Sequence, residues 1–314
     1  MSSKFVISLD YELLWGMLDS SNIGSAKASV LGEIKAVPKI LEYFDTYKIR
    51  ATWAVVGMSL CENFEEWETF HPNRLPNYSN NLKSSYHLNP KNIDNPDLYF
   101  QANSINLIRS LSSQEIASHS FSHLYFNEPG INSEDIEEDF ILFKRISQNK
   151  GITCSSFIFP RNQFSNKLLS ALKKYDFSAY RGNNNSFIYN QGEVLSQSSY
   201  IRYMRLIDSY VPLTRNLSYS IETRGNVDLV DIPASLFFRP FKYSKFIHSA
   251  HIKRVKDEML SAAKKGQTFH LWWHPHNFGL NLEENLRGLL EVLNYFKFLK
   301  ETYDMQSCNM KDLA

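Results

Sequence analysis

The segment Glu115-Ile-Ala-Ser-His119-Ser-Phe-Ser-His123-Leu-Tyr125 joins a short apolar run to two histidines that are four positions apart. Residues at this spacing lie on one face of a helix, so a helical turn after the predicted strand would bring both imidazoles to one point. Neutral imidazole is a good ligand of zinc and of related divalent metals. The segment therefore predicts a strand that leads into two metal ligands, His119 and His123. A hydrogen-bonded histidine pair without a metal is the alternative interpretation of this segment taken alone.

A second predicted strand ends in acidic side chains near the start of the chain, at Phe5-Val-Ile-Ser-Leu-Asp10-Tyr-Glu12. Alternate residues of a strand point to the same side, so the carboxylates of Asp10 and Glu12 should lie together. One of them could supply an oxygen ligand to a metal bound by two imidazoles, and the other could transfer protons. The roles of the two carboxylates stay open on this argument.

Short apolar runs alternate with longer segments of helical period, a pattern that is typical of parallel strands joined by helices. We therefore predict an α/β fold in which seven strands could form a barrel. The predicted strands cover residues 4–9, 50–57, 115–118, 155–160, 177–181, 228–234 and 267–273. Five predicted helices form the outer wall. The first lies within Glu33 to Lys48 and should begin near Pro38, because proline suits the first turn of a helix.

Two stretches fit this alternation poorly, at about residues 62–110 and 183–226, where asparagine and serine are frequent. Long loops in a compact fold are usually functional, so both are predicted to be insertions over one face of a single domain that covers residues 1–314.

Composition limits the partners. Lys and Arg total 34 against 33 Asp and Glu, a formal net charge of +1, which gives no net field for binding nucleic acid or an anionic membrane. Cys61, Cys154 and Cys308 are far apart, so neither a disulfide framework nor a thiolate zinc site is indicated.

The first apolar run is too short for a signal sequence or a membrane span, and we expect a cytoplasmic protein without membrane insertion. The oligomeric state stays open.

Four segments with reactive side chains follow predicted strands. In a barrel of parallel strands the carboxyl ends meet at one mouth, where active sites are built. The segments are Asp10-Tyr-Glu12, His119 to His123, Phe159-Pro-Arg161-Asn162-Gln163, and His270-Leu-Trp-Trp273-His274-Pro-His276-Asn277.

The run His119-Ser120-Phe121-Ser122-His123 resembles the His-Ser-x-x-His motif of the polysaccharide deacetylase family, the NodB-type carbohydrate esterases. This resemblance implies a distorted (β/α)7 barrel with mostly parallel strands and helices outside. It also implies a divalent metal that serves the removal of acetyl groups from sugars. Zinc is the first choice for that metal, and nickel, cobalt or iron are the alternatives.

The resemblance also implies roles for individual residues. Glu12, His119 and His123 would be the metal ligands and Asp10 the general base, although Asp10 and Glu12 could share or exchange these roles. In the family two acidic residues are usually adjacent, whereas Tyr11 separates them here.

Three further catalytic assignments follow from the same resemblance. Arg161, after Pro160, would pair with Asp10 and keep it ionised, and His274 would be the general acid, with His276 as the rival for that role. Asp231 is a weak candidate for the acidic residue that orients the catalytic histidine, because an Asp close to a proline at a strand end is commonly a turn cap.

The candidate substrate-binding residues are Trp15, Asn162, Trp273 and His276. Trp15 could form the floor of a sugar site, or it could simply plug the barrel.

The sequence thus predicts a metal-dependent hydrolase that removes an acetyl group, in the first place N-acetyl, from a sugar. The acetylated sugar would belong to a polysaccharide or to its nucleotide- or lipid-linked precursor. The alternatives are an amidohydrolase acting on a cyclic ureide, a non-catalytic sugar-binding protein, and a retaining glycosidase that uses Asp10 and Glu12 as its carboxylate pair.

Overall fold

A parallel β-sheet forms the centre of the molecule. The computed structural model describes residues 2–20, 22–189, 198–214, 216–221, 229–242 and 244–314. In this part of the chain the strands are β1 (Lys4–Tyr11), β2 (Ala51–Val55), β3 (Glu115–Ser118), β4 (Ser156–Phe157), β5 (Ala179–Tyr180), β6 (Val230–Asp231), β7 (Leu236–Phe237), β8 (Thr268–Trp273) and β9 (Gln306–Cys308). Their order in space is β6-β5-β4-β3-β2-β1-β8-β7, and β9 pairs with β1.

The helices lie outside this sheet, as predicted. They are α1 (Ile23–Thr46), α2 (Phe64–Glu68), α3 (Ala102–Ser110), α4 (Ser133–Asn149), α5 (Asn166–Lys174), α6 (Ser199–Asp208), α7 (Lys245–Lys265) and α8 (Leu282–Tyr303). No helix in the described ranges is both long enough and apolar enough to cross a bilayer.

Strands β6 and β7 belong to one bent segment that closes the barrel. The backbone N–H of Ile232 donates to the carbonyl oxygen of Tyr180 on one side, at 2.9 Å. A few residues later the N–H of Ser235 donates to the carbonyl oxygen of His270 on the other side, at 2.8 Å. The N–H of Ala234 still donates to Gly182 on the first side, so the segment changes partner between Ala234 and Ser235. The sheet therefore has seven strand positions around the barrel, with β9 as an addition at β1. We call residues 229–238 the closing segment.

The side chains of β1 show how the core is divided. Ile7, Leu9 and Tyr11 face the large apolar layer between the sheet and the helices. Val6 points the other way, into a small apolar cluster that fills the barrel interior with Ala54, Ala117, Ile158, Ala179, Ile232 and Met310. Because side chains alternate along a strand, Ser8 and Asp10 point to the same side as Val6. The interior is therefore apolar at its amino end and polar at its carboxyl end, where the predicted site residues converge.

The prediction of a barrel with parallel strands and helices outside is confirmed, and each of the seven predicted strands overlaps an observed one. Residue 228, the first of the predicted sixth strand, lies outside the described residues. Strands β7 and β9 were not predicted, because runs of two and three residues are too short to show a period.

The predicted start of the first helix is wrong. Helix α1 begins at Ile23, where the side chain of Asn22 accepts a hydrogen bond from the backbone N–H of Ser25, and Pro38 lies inside it. Pro38 is exposed, so the hydrogen bond that its missing N–H removes is lost on the solvent side. The buried face that includes Ala26 and Val30 stabilises the extra turns.

The two predicted insertions differ in their structure. Residues 62–110 contain α2 and α3 and bury a group of aromatic side chains, among them Trp67, Tyr99 and Phe100. The second stretch, residues 183–226, contains α6. Three parts of this stretch lie outside the described ranges: residues 190–197, residue 215 and residues 222–226. The single-domain assignment stays a prediction.

A candidate active site at the carboxyl ends of the strands

The carboxylate of Glu12 lies among three imidazoles. Its Oε1 atom is 3.1 Å from Nε2 of His119, 3.4 Å from Nε2 of His123 and 3.3 Å from Nε2 of His274. Glu12, His119 and His123 are all buried. Three pieces of chain that are distant in sequence, the ends of β1, β3 and β8, therefore meet at one point.

The hydrogen bonding of His119 shows that this arrangement suits a cation. Nδ1 of His119 lies 2.8 Å from the carbonyl oxygen of Ile158, which can only accept a hydrogen bond, so Nδ1 carries the proton. In the neutral ring Nε2 then has a lone pair that faces the Glu12 carboxylate at 3.1 Å. Two acceptors at this distance repel each other unless a positive charge lies between them. An outer hydrogen bond of this kind is also what fixes metal-binding histidines in proteins.

His123 is equally suited to bind a metal. Nε2 of His123 is buried and makes no hydrogen bond. Ligand atoms of Glu12, His119 and His123 lie within 4.8 Å of one another. Two imidazole nitrogens and one carboxylate oxygen form the ligand set of several catalytic zinc sites, in which a fourth position stays open for water or substrate. The residues present therefore fit the divalent metal that the sequence predicted.

The loop that carries His119 and His123 is not the helical turn that their spacing predicted. Ser120 and His123 have positive φ angles of 64° and 54°, which a right-handed helix does not allow. Asp139 on α4 holds the loop: its Oδ1 accepts from the N–H of Phe121, and its Oδ2 accepts from the N–H and the hydroxyl of Ser122. The two rings still converge, with centroids 5.1 Å apart. Asp139 is thus a positioning residue that the sequence analysis missed.

Asp10 is held by Arg181, and the predicted pairing of Asp10 with Arg161 is wrong. Nη1 and Nη2 of Arg181 donate to Oδ1 and Oδ2 of Asp10 at 2.6 and 2.7 Å, and both side chains are buried. Burial by itself would raise the pKa of Asp10, but the Arg181 charge and hydrogen bonds outweigh it and lower that pKa below its usual value. Asp10 is therefore kept ionised, as predicted, by a different arginine.

Two hydrogen-bonding neighbours fix the guanidinium of Arg181. Asn162 Oδ1 accepts from its Nε and Nη2, at 3.1 and 2.7 Å. Ser8 Oγ accepts from Nη1 at 3.0 Å and lies 2.8 Å from Nε2 of His270. Burial lowers the pKa of His270 to about 3, so this ring is neutral and can accept the Ser8 proton. Asn162, predicted to bind substrate, thus also orients Arg181.

Arg161 lies at the mouth of the site instead. Its Nη2 donates to Asp19 at 2.5 Å and its Nη1 donates to Glu128 at 2.9 Å, while its guanidinium carbon is 3.6 Å from the centre of the Tyr125 ring. Arg161 and Asn162 both have left-handed backbone angles, with φ of 58° and 52°. In this turn Arg161 contacts Asp19 and Glu128, whereas Asn162 contacts Arg181.

His274 and His276 differ in their charge. Burial would lower the pKa of His274, but the carboxylates of Glu12 and Asp10 raise it above its usual value. Its Nε2 is 3.7 Å from Oδ2 of Asp10. Burial, together with the neighbouring His274 charge, lowers the pKa of His276 to about 3. His274 is therefore the better proton donor of the two at neutral pH.

Two tryptophans predicted to bind substrate lie in the core. Trp273 is fully buried and stacks on Phe278, because it points from β8 toward the helices, whereas its neighbour Trp272 lines the cavity. Trp15 is 1% exposed, packs on Trp67 and donates from Nε1 to the carbonyl oxygen of Tyr99. Trp15 therefore belongs to the outer apolar layer, against the first insertion, and neither lines the cavity nor fills the barrel interior.

Asp231 does not contact His274, the histidine that it was predicted to orient. It contacts the end of β5, where its carboxylate accepts from the backbone N–H of Gly182 and hydrogen bonds with Tyr180. No hydrogen bond or ion pair joins Asp231 to His274 in the described part of the chain.

A cavity of about 760 Å³ opens above these residues. Its walls include Asp10, Glu12, His123 and His274, the aromatic residues Tyr125, Phe164, Tyr189, Phe237 and Trp272, and the arginines Arg161, Arg202, Arg205 and Arg239. The second predicted insertion contributes several of these residues. Among the described residues that line the cavity, none comes from the first predicted insertion, residues 62–110.

Gly16 provides a test of the Glu12 position. A Cβ at residue 16 would overlap the carboxylate of Glu12. We expect Gly16→Ala to displace this ligand and weaken metal binding by about 10- to 100-fold, the range seen when the support of a metal ligand is lost. Gly24→Ala is the matched control, because a Cβ there meets only Asn22 Oδ1 at 3.7 Å. Metal titration of both variants measures the effect, and equal affinities would contradict the ligand assignment.

Comparison of the sequence with protein-family models and with curated proteins finds no match. Solved structures do match. A protein from Mycobacterium smegmatis assigned to the polysaccharide deacetylases has a TM-score of 0.62 at 12% identity, over 100% of this chain and 90% of its own. A Pseudomonas aeruginosa PAO1 protein of the same assignment has a TM-score of 0.57 at 10% identity, over 99% and 89%. The Puue allantoinase also scores 0.57, at 11% identity, over 99% and 88%. The chain therefore has the fold of the polysaccharide deacetylases, as the His-Ser-x-x-His motif predicted, and shares it with an allantoinase.

Proposed function

We propose that this protein is a metal-dependent hydrolase that removes an N-acetyl group from a sugar. The observation that carries the proposal is the meeting of Glu12, His119 and His123 around one point, with Asp10 and His274 beside it. A divalent cation bound by Glu12, His119 and His123, with zinc as the first choice, would polarise the acetyl carbonyl and lower the pKa of water.

Asp10 is the proposed general base. Each carboxylate oxygen has two lone pairs, and Arg181 occupies one on each oxygen, so Asp10 can still accept a proton from the attacking water. Its lowered pKa means that the carboxylate is ready to act at neutral pH. The bidentate contact also fixes the plane of the carboxylate, which keeps the accepting oxygen in place.

His274 is the proposed general acid. An amine is a poor leaving group unless it is protonated as the carbon–nitrogen bond breaks, and a positioned acid typically contributes about 10²- to 10⁴-fold to such a step. The raised pKa of His274 keeps its imidazolium form populated. His276, whose pKa is about 3, has no proton to give at neutral pH and is proposed to pack beside His274.

The glycosidase alternative fits the site poorly. A glycosidase acid needs a carboxyl group with a raised pKa. The pKa of Asp10 is lowered by Arg181, and that of Glu12 is lowered well below its usual value by the surrounding histidines, in both cases against the effect of burial. The cyclic-ureide alternative keeps one supporting observation, the shared fold of the allantoinase.

Acetate release tests the proposal. Metal-loaded protein should release acetate from N-acetylglucosamine or its phosphorylated derivatives, and a chelator should stop the reaction until zinc is restored. His119→Ala should lose both bound metal, measured by elemental analysis, and activity. Allantoin serves as the competing substrate, and its hydrolysis without acetate release from any sugar would favour the ureide. If His119→Ala retained a full equivalent of metal, the proposed ligand set would be wrong.

A further inference from the structure

The charges that line the cavity are unevenly compensated. Its three carboxylates are all engaged: Asp10 with Arg181, Glu12 with the histidines, and Asp19 with Arg161. Three other lining residues, Arg202, Arg205 and Arg239, have no carboxylate within ion-pair distance among the described residues. Among the described residues that line this cavity, the uncompensated charges are therefore all positive.

Neutral oxygen atoms hold two of these arginines in place. Nε of Arg205 donates to the carbonyl oxygen of Ile188 at 3.1 Å, and Nε of Arg239 donates to Oγ of Ser209 at 3.1 Å. In the described ranges the terminal nitrogens of both guanidiniums make no hydrogen bond or ion pair, and their neighbours there are the rings of Tyr189 and Phe237. Burial lowers the pKa of both side chains, although an arginine stays charged throughout the physiological range. Their outer donors are thus free for a ligand.

The acidic residue of α6 does not compensate them. Asp208 is buried and accepts from the N–H and hydroxyl of Thr214 at 2.6 and 2.7 Å and from the Tyr189 hydroxyl at 3.2 Å. Arg202 and Arg205 are three residues apart on α6, so they lie on one face of the helix.

Arg239 is close to the reacting centre. Its guanidinium carbon is 5.0 Å from the centre of the Phe237 ring, and the centre of that ring is 5.9 Å from the centre of the His274 ring. A single side chain thus separates the arginine from the proposed general acid. A monosaccharide can bridge this separation, with its acetyl group at the metal ligands and an anionic substituent at the arginine.

Resting on the function proposed above, we propose that Arg202, Arg205 and Arg239 form an anion subsite for a phosphate group attached to the sugar. Paired terminal nitrogens of arginine match phosphate oxygens in bidentate hydrogen bonds. A neutral polysaccharide would leave these three charges without a partner. The substrate is then a phosphate-linked sugar, and a sugar 1-phosphate, a nucleoside diphosphate sugar and a polyprenyl diphosphate sugar all carry the required group.

The test compares N-acetylglucosamine, its 1-phosphate, its uridine diphosphate derivative and its short-chain polyprenyl diphosphate derivative. Both acetate release and equilibrium binding by calorimetry are measured with metal-loaded protein. The phosphorylated probes should have KM and Kd values at least about tenfold lower than the neutral sugar, which corresponds to about 1.4 kcal/mol. The ranking of the last two probes identifies the natural carrier.

Variants separate the subsite from the chemistry. Arg205→Gln and Arg239→Gln should each raise KM and Kd about tenfold for phosphorylated probes, with kcat and the KM of the neutral sugar nearly unchanged. Arg239→Lys, which keeps the charge, should recover part of the affinity. Arg287→Gln is the matched control, since Arg287 is exposed on α8. Thermal unfolding checks that each variant is folded.

The outcomes distinguish the two proposals. If the protein binds phosphorylated and neutral sugars equally, or if the glutamine variants bind like the wild type, the anion subsite is refuted, while acetate release from the neutral sugar would leave the deacetylase proposal intact. If no probe releases acetate but phosphorylated sugars bind through Arg205 and Arg239, the subsite stands and the deacetylase proposal fails.

Discussion

Arg181→Met should lower the free energy of unfolding by about 3–5 kcal/mol, the usual cost of leaving one partner of a buried ion pair without the other. Arg181 and Asp10 are both buried, and the substitution would leave the Asp10 charge in the barrel interior without its two donors. Urea unfolding of the metal-free protein measures the change.

Arg161→Met is the matched control, because Arg161 was the partner that the sequence predicted for Asp10. Its ion pairs with Asp19 and Glu128 are partly exposed, so we expect a loss of about 1 kcal/mol or less. A double variant, Arg181→Met with Asp10→Leu, should recover part of the lost stability, since it removes both charges. If Arg161→Met and Arg181→Met destabilise equally, the corrected pairing is mistaken.

Asp10→Asn should lower kcat by about 10²- to 10⁴-fold while the protein keeps its full equivalent of metal. Asparagine has nearly the same shape and its Oδ1 can still accept one of the two Arg181 hydrogen bonds, but it cannot take a proton from water. Elemental analysis and acetate release, measured on the same samples, separate loss of a base from loss of a ligand.

Two companion variants sharpen this result. His274→Gln should cause a loss of similar size, because it removes the proton donor, whereas His276→Gln should retain much more activity, because His276 is neutral at the working pH. Glu12→Gln should behave differently from Asp10→Asn and lose metal. An Asp10→Asn protein that turned over normally, or one that lost its metal, would overturn the division of roles between Asp10 and Glu12.

The sequence was informative where strand geometry alone determines the outcome. The alternation of side chains on β1 predicted that Asp10 and Glu12 share a side, and parallel topology predicted that they would meet His119, His123 and His274. Because the strands of a closed barrel all end at one mouth, the side chains at those ends meet there almost regardless of how the loops are folded. The residues of the candidate metal site could therefore be predicted from the sequence alone.

The errors arose where loops or strand ends decide the direction of a side chain. Arg161 and Arg181 both follow strands, and the left-handed backbone at Arg161 turns it away from Asp10. Arg181 ends the predicted strand 177–181, so its place in the sequence was a signal that it lies at the mouth of the barrel with Asp10. At Trp273 the same alternation that served β1 would have favoured Trp272, since His274 and Trp272 are two residues apart.

The closing segment makes the barrel depend on very few hydrogen bonds at one place. Where β1 and β8 pair over six residue positions, β6 and β7 each pair over only two. Local opening costs least where few bonds hold the backbone, and β3 and β4 pair over only one position and β4 and β5 over two. The part of the barrel from β3 to the closing segment should therefore open more readily than the part formed by β1, β2 and β8. The closing segment continues directly into Arg239. A ligand that reaches from the proposed metal ligands to Arg239 would hold the closing segment against the rest of the barrel. Amide hydrogen exchange at residues 232–238 should therefore become slower as more of the protein binds this ligand.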